Sequence, residues 1–345
     1  MKKLRIISLL LTLLMLFTLV ACDTNEEPAP EDTTLADTTV EEETTAEEET
    51  TAPVDPANDG KLRVIIASDL HHTTIETYYA VPSDKRMQHF VDSILLEHKT
   101  QPIDLLIFAG DLSLDHLFKR GTWTVNKHST TKDFIEKYAS QIKAAGIPMF
   151  YLPGNHEQFN DEQWVEITGN HRYGVIEMEG ILFLLLDSYG ETLEPNYDKV
   201  NGAVYTPMDV DYIKEQLELH PNCQKAFIVT HGFWPAKETA EFANLMKTEK
   251  RLAGIFSGDS HHNTVIDLGE RYGNKKQAQT GHFSYYGTDP DVTALSKNFW
   301  GFRELIITPT SAASRYITVE SKVMSGGQVL LNLKRSISNQ VLFYY

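Results

Sequence analysis

Residues 61–72 read KLRVIIASDLHH. Leu62–Ala67 is a short β-rich run, and it stops at Ser68-Asp69-Leu70-His71. A brief apolar run closed by polar residues is the pattern of a buried strand. The same pattern recurs along the chain. Residues 103–109 lead to Gly110-Asp111, Met149–Leu152 to Gly154-Asn155-His156-Glu157, residues 226–230 to His231-Gly232, and residues 253–256 to Gly258-Asp259-Ser260-His261. In open α/β sheets ligands bind beyond the carboxyl ends of the strands. Five polar clusters spread from Asp69 to His261 are therefore expected to converge on one crevice.

Helical spacing separates these runs. Met87, Phe90, Val91, Ile94 and Leu95 recur at helical intervals behind Pro82, with Ser83 as the expected N-cap. Ser129 is placed to cap a second helix that carries Phe134, Ile135, Tyr138 and Ile142 and is closed by Gly146. Residues 175–178 and Ile181–Leu186 read as a hairpin around Glu179-Gly180, and Thr206-Pro207 opens a helix to about Leu219. Beyond residue 300 strand follows strand, at 304–307, 316–320, 329–333 and 341–344. The expectation is an α/β fold of stacked sheets covered by helices, one domain over residues 61–345.

Residues 1–60 are different material. Lys2, Lys3 and Arg5 precede an uncharged run, 6–20, that ends in Leu19-Val20-Ala21-Cys22. The run is short for a membrane span and fits the apolar region of a signal peptide. Leu-Val-Ala-Cys resembles a bacterial lipobox, which implies lipidation at Cys22 and an extracytoplasmic, membrane-anchored protein. An ordinary secretory signal and a retained anchor helix are the other readings of the same residues. Residues 23–60 hold 14 Asp plus Glu, no aromatic residue and no Lys or Arg. Such a segment cannot bury enough apolar area to offset its chain entropy, so it is expected to be a disordered tether reaching roughly 35 Å. The whole chain carries −17; the first 22 residues contribute +3 and the tether −14, which leaves −6 on residues 61–345. Nothing in that balance points to nucleic-acid binding by charge. Cys223 is the only cysteine after Cys22, so the folded part has no internal disulfide framework.

The five clusters offer carboxylates, imidazoles and an amide, and no thiolate. That donor set suits Mn, Fe, Zn or Mg, and a pair of such ions needs about seven or eight ligands, one of them shared. A carboxylate is the natural bridge. Asp-x-His places both side chains on one side of an extended segment. By the same alternation His72 and His262 should point away from their neighbours His71 and His261. Taken singly, each residue has a plain reading: Asp69 as a strand-end cap, His231 as a buried imidazole, Asp259 and Ser260 as a turn. Five of them in one register is what points to a metal site.

The order Asp-x-His, Gly-Asp, Gly-Asn-His-Glu, His-Gly, Gly-x-x-His resembles the calcineurin-like metallophosphoesterases, over the stretch from Asp69 to His261. The resemblance implies a four-layer sandwich of two mixed β-sheets flanked by helices. It implies two divalent metal ions, with Asp69, His71 and His261 at the first, Asn155, His231 and Asp259 at the second, and Asp111 bridging. It implies phosphoester hydrolysis by a metal-bridging hydroxide, with His156 as general acid beside the leaving group. Glu157 is expected either to orient His156 or a ligand, or to lie on the loop surface. The competing class is a lipoprotein binding module that keeps the metals without turnover.

Two features depart from the family pattern. Its last motif is usually Gly-His-x-His, and here Asp259 stands where the first His belongs. The branch that dephosphorylates proteins has an Asp three residues after its bridging Asp, then an Arg. Here those positions hold Leu114 and Asp115, and Asp115 reads as a solvated loop residue in preference to one that orients His156. Tyr285, Tyr286, Phe299 and Trp300 read as core in preference to cleft. The polar stretches 115–128 and 188–205 are the candidates for substrate loops.

Overall fold

Two six-stranded sheets carry the architecture, one placing residues 329–344, 311–323, 301–308, 62–67, 105–109 and 149–152 side by side in that order, the other 265–267, 276–279, 252–257, 225–230, 181–186 and 174–178. The structure is a computed structural model that describes residues 61–75, 78–119, 122–125, 130–190, 203–285, 300–323 and 329–344. Every described residue belongs to one compact unit. The signal, lipidation and tether readings of residues 1–60 lie outside the described residues, as do Ser129, Tyr286 and Phe299. No helix among the described residues is long and apolar enough to cross a membrane.

In the first sheet β1 (Leu62–Ala67), β2 (Leu105–Ala109) and β5 (Met149–Leu152) run parallel, with β12 (Gly301–Thr308) antiparallel to β1. In the second, β7 (Ile181–Leu186), β8 (Lys225–Thr230), β9 (Leu252–Ser257) and β11 (Lys276–Gln279) are parallel. The edge strands β6 (Gly174–Met178) and β10 (Val265–Asp267) pair antiparallel to them. Strand alternation builds the layers. Val64, Ile66, Leu105 and Ile107 face Phe183, Leu185, Phe227 and Val229 of the opposite sheet. Their neighbours Ile65, Leu106 and Phe108 face outward onto helices. Two mixed sheets flanked by helices are thus the observed fold.

Helix α1 (Ser83–Thr100) and the helix α2 (130–144) cover the first sheet with Met87, Phe90, Ile94, Phe134 and Ile142. A π-helical turn, Ile135–Ala139, interrupts α2. The short α3 (Asp161–Thr168) follows β5. It has a capping box between Asn160 and Gln163, and Gly169 ends it in the left-handed region. Helices α4 (Val210–Leu219) and α5 (Ala240–Thr248) cover the second sheet with Ile213, Leu217, Phe242 and Met246.

Several expected boundaries move, each for a local reason. Pro82, not Ser83, holds the N-cap position of α1, and the Ser83 hydroxyl turns instead to His72 Nδ1 at 2.8 Å. Helix α4 starts at Val210 and not at Thr206, because Asp209 is the residue whose side chain accepts from Tyr212 N. The expected strands 329–333 and 341–344 are one edge strand, β14 (Val329–Tyr344), paired with β13 (Ser311–Val323) around a register shift at Ser314/Tyr316. Asp115 is not solvated. It is buried, and its carboxylate accepts from Thr130 N at 2.7 Å and Thr131 N at 2.9 Å at the start of α2. An antiparallel pair, β3 (His116–Lys119) and β4 (Thr122–Val125), rises from the loop after Asp115.

Candidate metal centre

The carboxyl ends of β1, β2, β5, β8 and β9 deliver their polar clusters to one place. Backbone bonds first join the loops: Asp69 N donates to Gly110 O and His71 N to Asp111 O, both at 3.0 Å, and Phe283 N donates to Asp69 O at 3.0 Å. The side chains then meet. His71 Nε2 lies 3.2 Å from Asp111 Oδ2, and His231 Nε2 lies 3.2 Å from the same oxygen. His261 Nε2 is 3.2 Å from Asp69 Oδ1, Asn155 Oδ1 is 3.0 Å from His231 Nε2, and Asp259 Oδ1 is 3.8 Å from it. His156 Nε2 stands 3.8 Å from Asp111 Oδ2. Every residue proposed for the centre within the described chain is therefore brought together; Cys22 lies outside the described residues.

The local backbone is strained to do this. Asp69, His71, Asp111, Asp259 and His261 have φ between 49° and 62°, and they are five of the seven non-glycine residues with positive φ among those described. Each such left-handed residue costs about 1–2 kcal/mol, so their clustering marks a site in preference to scattered turn geometry. The extended Asp-x-His geometry expected from sequence is thus replaced by two left-handed residues. His261 and His262 also sit in a loop after β9, not on a strand, and the left-handed turn is what sends only His261 to the centre. Glycine opens the space. A Cβ on Gly110, itself at φ 86°, would run into the His231 ring, and one on Gly154 into the Asp111 carboxylate.

Behind the centre, Glu157 is fully buried and accepts from Asp111 N at 2.9 Å, Ser113 N at 2.8 Å and Gly154 N at 2.8 Å. Of its alternatives, the loop-surface reading is thereby corrected: Glu157 clamps the backbone around Asp111. Burial and the Asp111 charge push its carboxyl up to about 8. His156 Nδ1 donates to the His116 carbonyl at 2.5 Å, and His156 N donates to Asp111 Oδ1 at 2.9 Å. His231 Nδ1 donates to Ala109 O at 2.8 Å. His72, by contrast, faces away and bridges Ser83 and Asp133, with Nε2 2.6 Å from Asp133 Oδ2.

The donor set fits divalent cations. Asp69 Oδ1 is buried with no hydrogen-bond donor aligned on it, an arrangement that is costly for a carboxylate oxygen unless a cation sits against it. Asp69, His71 and His261 place ligand atoms within 4.8 Å of one another, as do Asp69, Asp111 and His231, and His71, Asp111 and His156. Burial drives the His71 imidazole down to about 4, despite the opposing pull of Asp111, which keeps its ring neutral. Burial pushes Asp259 up, with the Asp111 and Asp69 charges adding to it. For Asp111 burial is outweighed by His231 and His156, which hold it well below the usual carboxylate range.

Sequence reasoning reached Ser188 and Tyr189 only as the start of the candidate substrate loop 188–205, and passed over Tyr79. Ser188 Oγ accepts from Gly232 N at 2.8 Å, and the Tyr189 ring lies 5.8 Å from that of His231. Both follow β7, so the strand-end rule would have found them. Tyr79 sits in an irregular stretch and carries no such signal.

A family model described as calcineurin-like phosphoesterase matches residues 62–263. The chain is similar to the DNA double-strand break repair protein Mre11 of Methanosarcina acetivorans, 25% identical over 224 residues, covering 61% of this chain and 32% of the relative. It is also similar to the Mre11 protein of Haloferax volcanii, 22% identical over 276 residues, covering 75% and 53%. It thus spans only a third to a half of the length of these relatives. Among solved structures it is similar to a purple acid phosphatase from yellow lupin, Lupinus luteus, at 13% identity and TM-score 0.47, covering 84% of this chain and 54% of that one.

Proposed function

The chain belongs to the calcineurin-like phosphoesterase family, and from that membership we propose that it hydrolyses phosphoester bonds at a centre of two divalent ions. The carrying observation is the buried Asp69 Oδ1, 3.2 Å from His261 Nε2 with no well-aligned donor, within a ring of imidazoles and carboxylates. Asp69, His71 and His261 would hold one ion, Asn155, His231 and Asp259 the other, with Asp111 between them. When bound, the pair would supply Lewis acidity that lowers the pKa of water and offsets charge on the phosphoryl oxygens.

The remaining steps belong to the chain. Attack by a water oxygen forms a new P–O bond as the bond to the leaving oxygen breaks, and that oxygen needs a proton. His156 is the group proposed to give it. Its Nδ1 is committed to the His116 carbonyl, so proton exchange runs through Nε2, which faces the centre. The buried Glu157 carboxyl accepts from the backbone amides of Asp111, Ser113 and Gly154 and so fixes the position proposed for the bridging Asp111.

Two assays test the reading. The full chain with Mn²⁺ should hydrolyse bis-p-nitrophenyl phosphate or p-nitrophenyl phosphate; metal bound without turnover on a broad phosphoester panel would favour the binding-module alternative. His156→Ala should lose most turnover on poor leaving groups and keep its metal content. Loss of metal instead would make His156 a ligand, as its closeness to His71 and Asp111 also allows.

Export and anchoring rest on the sequence of residues 1–22 alone. A lipid at Cys22 and an acidic tether would hold the domain off an extracytoplasmic membrane surface. Expressed in a bacterial host, the wild type should partition with detergent and Cys22→Ser with water; equal partitioning would remove the lipid anchor. The name of the Mre11 relatives associates them with DNA breaks, whereas the mild acidity of residues 61–345 gives this chain no electrostatic attraction to a polyanion.

A further inference from the structure

Tyr79 has no place in the family motifs, yet it touches the centre. Its hydroxyl lies 2.6 Å from His71 Nδ1, on the far side of the ring from Asp111. The residue is 6% exposed, and the Tyr285 ring packs against it at 5.3 Å. Above the Tyr79 ring, 4.5 Å from its centroid, is the guanidinium of Arg86 in the first turn of α1. Arg86 is itself fully buried. It donates to Leu70 O at 2.7 Å, Phe283 O at 2.8 Å and His71 O at 2.9 Å. One guanidinium therefore grips the backbone of His71 and seats the tyrosine that grips its side chain.

We propose that Tyr79, seated by Arg86, is a positioning residue for His71, accepting its Nδ1–H so that the Nε2 lone pair is held toward the Asp69–His71–His261 ion site. The inference rests on the dinuclear reading above. A neutral imidazole has one N–H and one lone pair, and the partner of one nitrogen decides the role of the other. Were Tyr79 to donate instead, the ring proton would sit on Nε2 and block ligation there. The Arg86 contact leaves the phenol ring little freedom, because a planar cation over an aromatic face, tied to several carbonyls, cannot follow a moving ring.

The test is stepwise metal titration of the full chain by calorimetry and by Co²⁺ absorption. Tyr79→Phe keeps the ring over Arg86 and removes only the oxygen. It should weaken one of two binding steps by roughly ten- to a hundredfold, the range for an outer partner of a histidine ligand, leave the other step unchanged, and leave the metal-free melting temperature where it was. Unchanged steps, or equal weakening of both with a lower metal-free melting temperature, would overturn the proposal. Unchanged steps with a raised KM would make Tyr79 a substrate contact, which also overturns it. In the zinc-loaded wild type, ¹⁵N NMR should find the His71 proton on Nδ1, and a proton on Nε2 overturns it without any variant. Wild type that binds no metal would overturn the dinuclear reading and this one together, whereas two ions bound with Tyr79→Phe indifferent would overturn this one alone.

Discussion

At the scale of single residues, Asp259 sets this centre apart. It brings a third carboxylate beside Asp69 and Asp111, where the family pattern puts an imidazole. Two divalent ions held by three carboxylates carry one positive charge less than with two. A phosphodiester has one negative charge near the centre and a monoester close to two, so the less positive centre should discriminate against monoesters. An extra unit charge at about 6 Å and an effective dielectric near 20 is worth up to about 3 kcal/mol. Asp259→His should therefore shift the kcat/KM ratio of monoester to diester by roughly ten- to a hundredfold toward the monoester. An unchanged ratio on the two nitrophenyl substrates would remove charge as the basis of selectivity. The same residue shows a limit of pattern reading: the motif marks Asp259 as a candidate, but only the fold sets it 3.8 Å from His231 and bonds its amide to Asp69 Oδ2 at 3.1 Å.

Between elements, one ionic network, buried at Arg63, Glu97 and Glu304 and open to solvent at Arg315 and Arg335, joins β1, α1 and the C-terminal strands. Arg63 in β1 donates to Glu304 of β12 at 2.7 Å and pairs with Glu97 of α1. Arg315 of β13 also pairs with Glu304, and Arg335 of β14 reaches Glu97 at 2.7 Å. None of this was legible, because Arg63 reads as one charge in an apolar run and its partners lie far along the chain. Burial would raise Glu304, but Arg63 and Arg315 outweigh it and hold the carboxyl below its ordinary value of 4.5. A depressed carboxylate stabilises the fold fully above its unfolded pKa and loses that contribution as pH falls through the folded one. Glu304→Gln should thus cost about 3 kcal/mol near neutrality, since it leaves the buried Arg63 short of one of its two carboxylates. The gap should narrow below about pH 4.5. Denaturant midpoints across that range check it, and a gap independent of pH would contradict it.

For the whole molecule, local pattern and tertiary structure divided the work along a physical line. The apolar buried strands were legible because fully covered strands are continuous apolar runs, whereas the buried but polar β11 was not; the ends of those runs named Asp69, Asp111, Asn155, His156, His231 and His261. Period and composition are properties of neighbouring residues, so a sequence carries them openly. Helix α3, helix α5, the β3–β4 pair and the unbroken β14 were not anticipated, because short or polar segments take their conformation from what they pack against. The left-handed turns at the centre, the Asp115 carboxylate at the start of α2, the Glu157 clamp and the Tyr79–Arg86 seat under His71 were likewise decided only in three dimensions. Each joins residues whose meeting depends on sheet order and loop path. By itself the sequence determined which chemistry is present and at which strand ends; the tertiary structure decided how those ends converge and what holds each side chain there, because orientation in a crevice is set by neighbours distant in the chain.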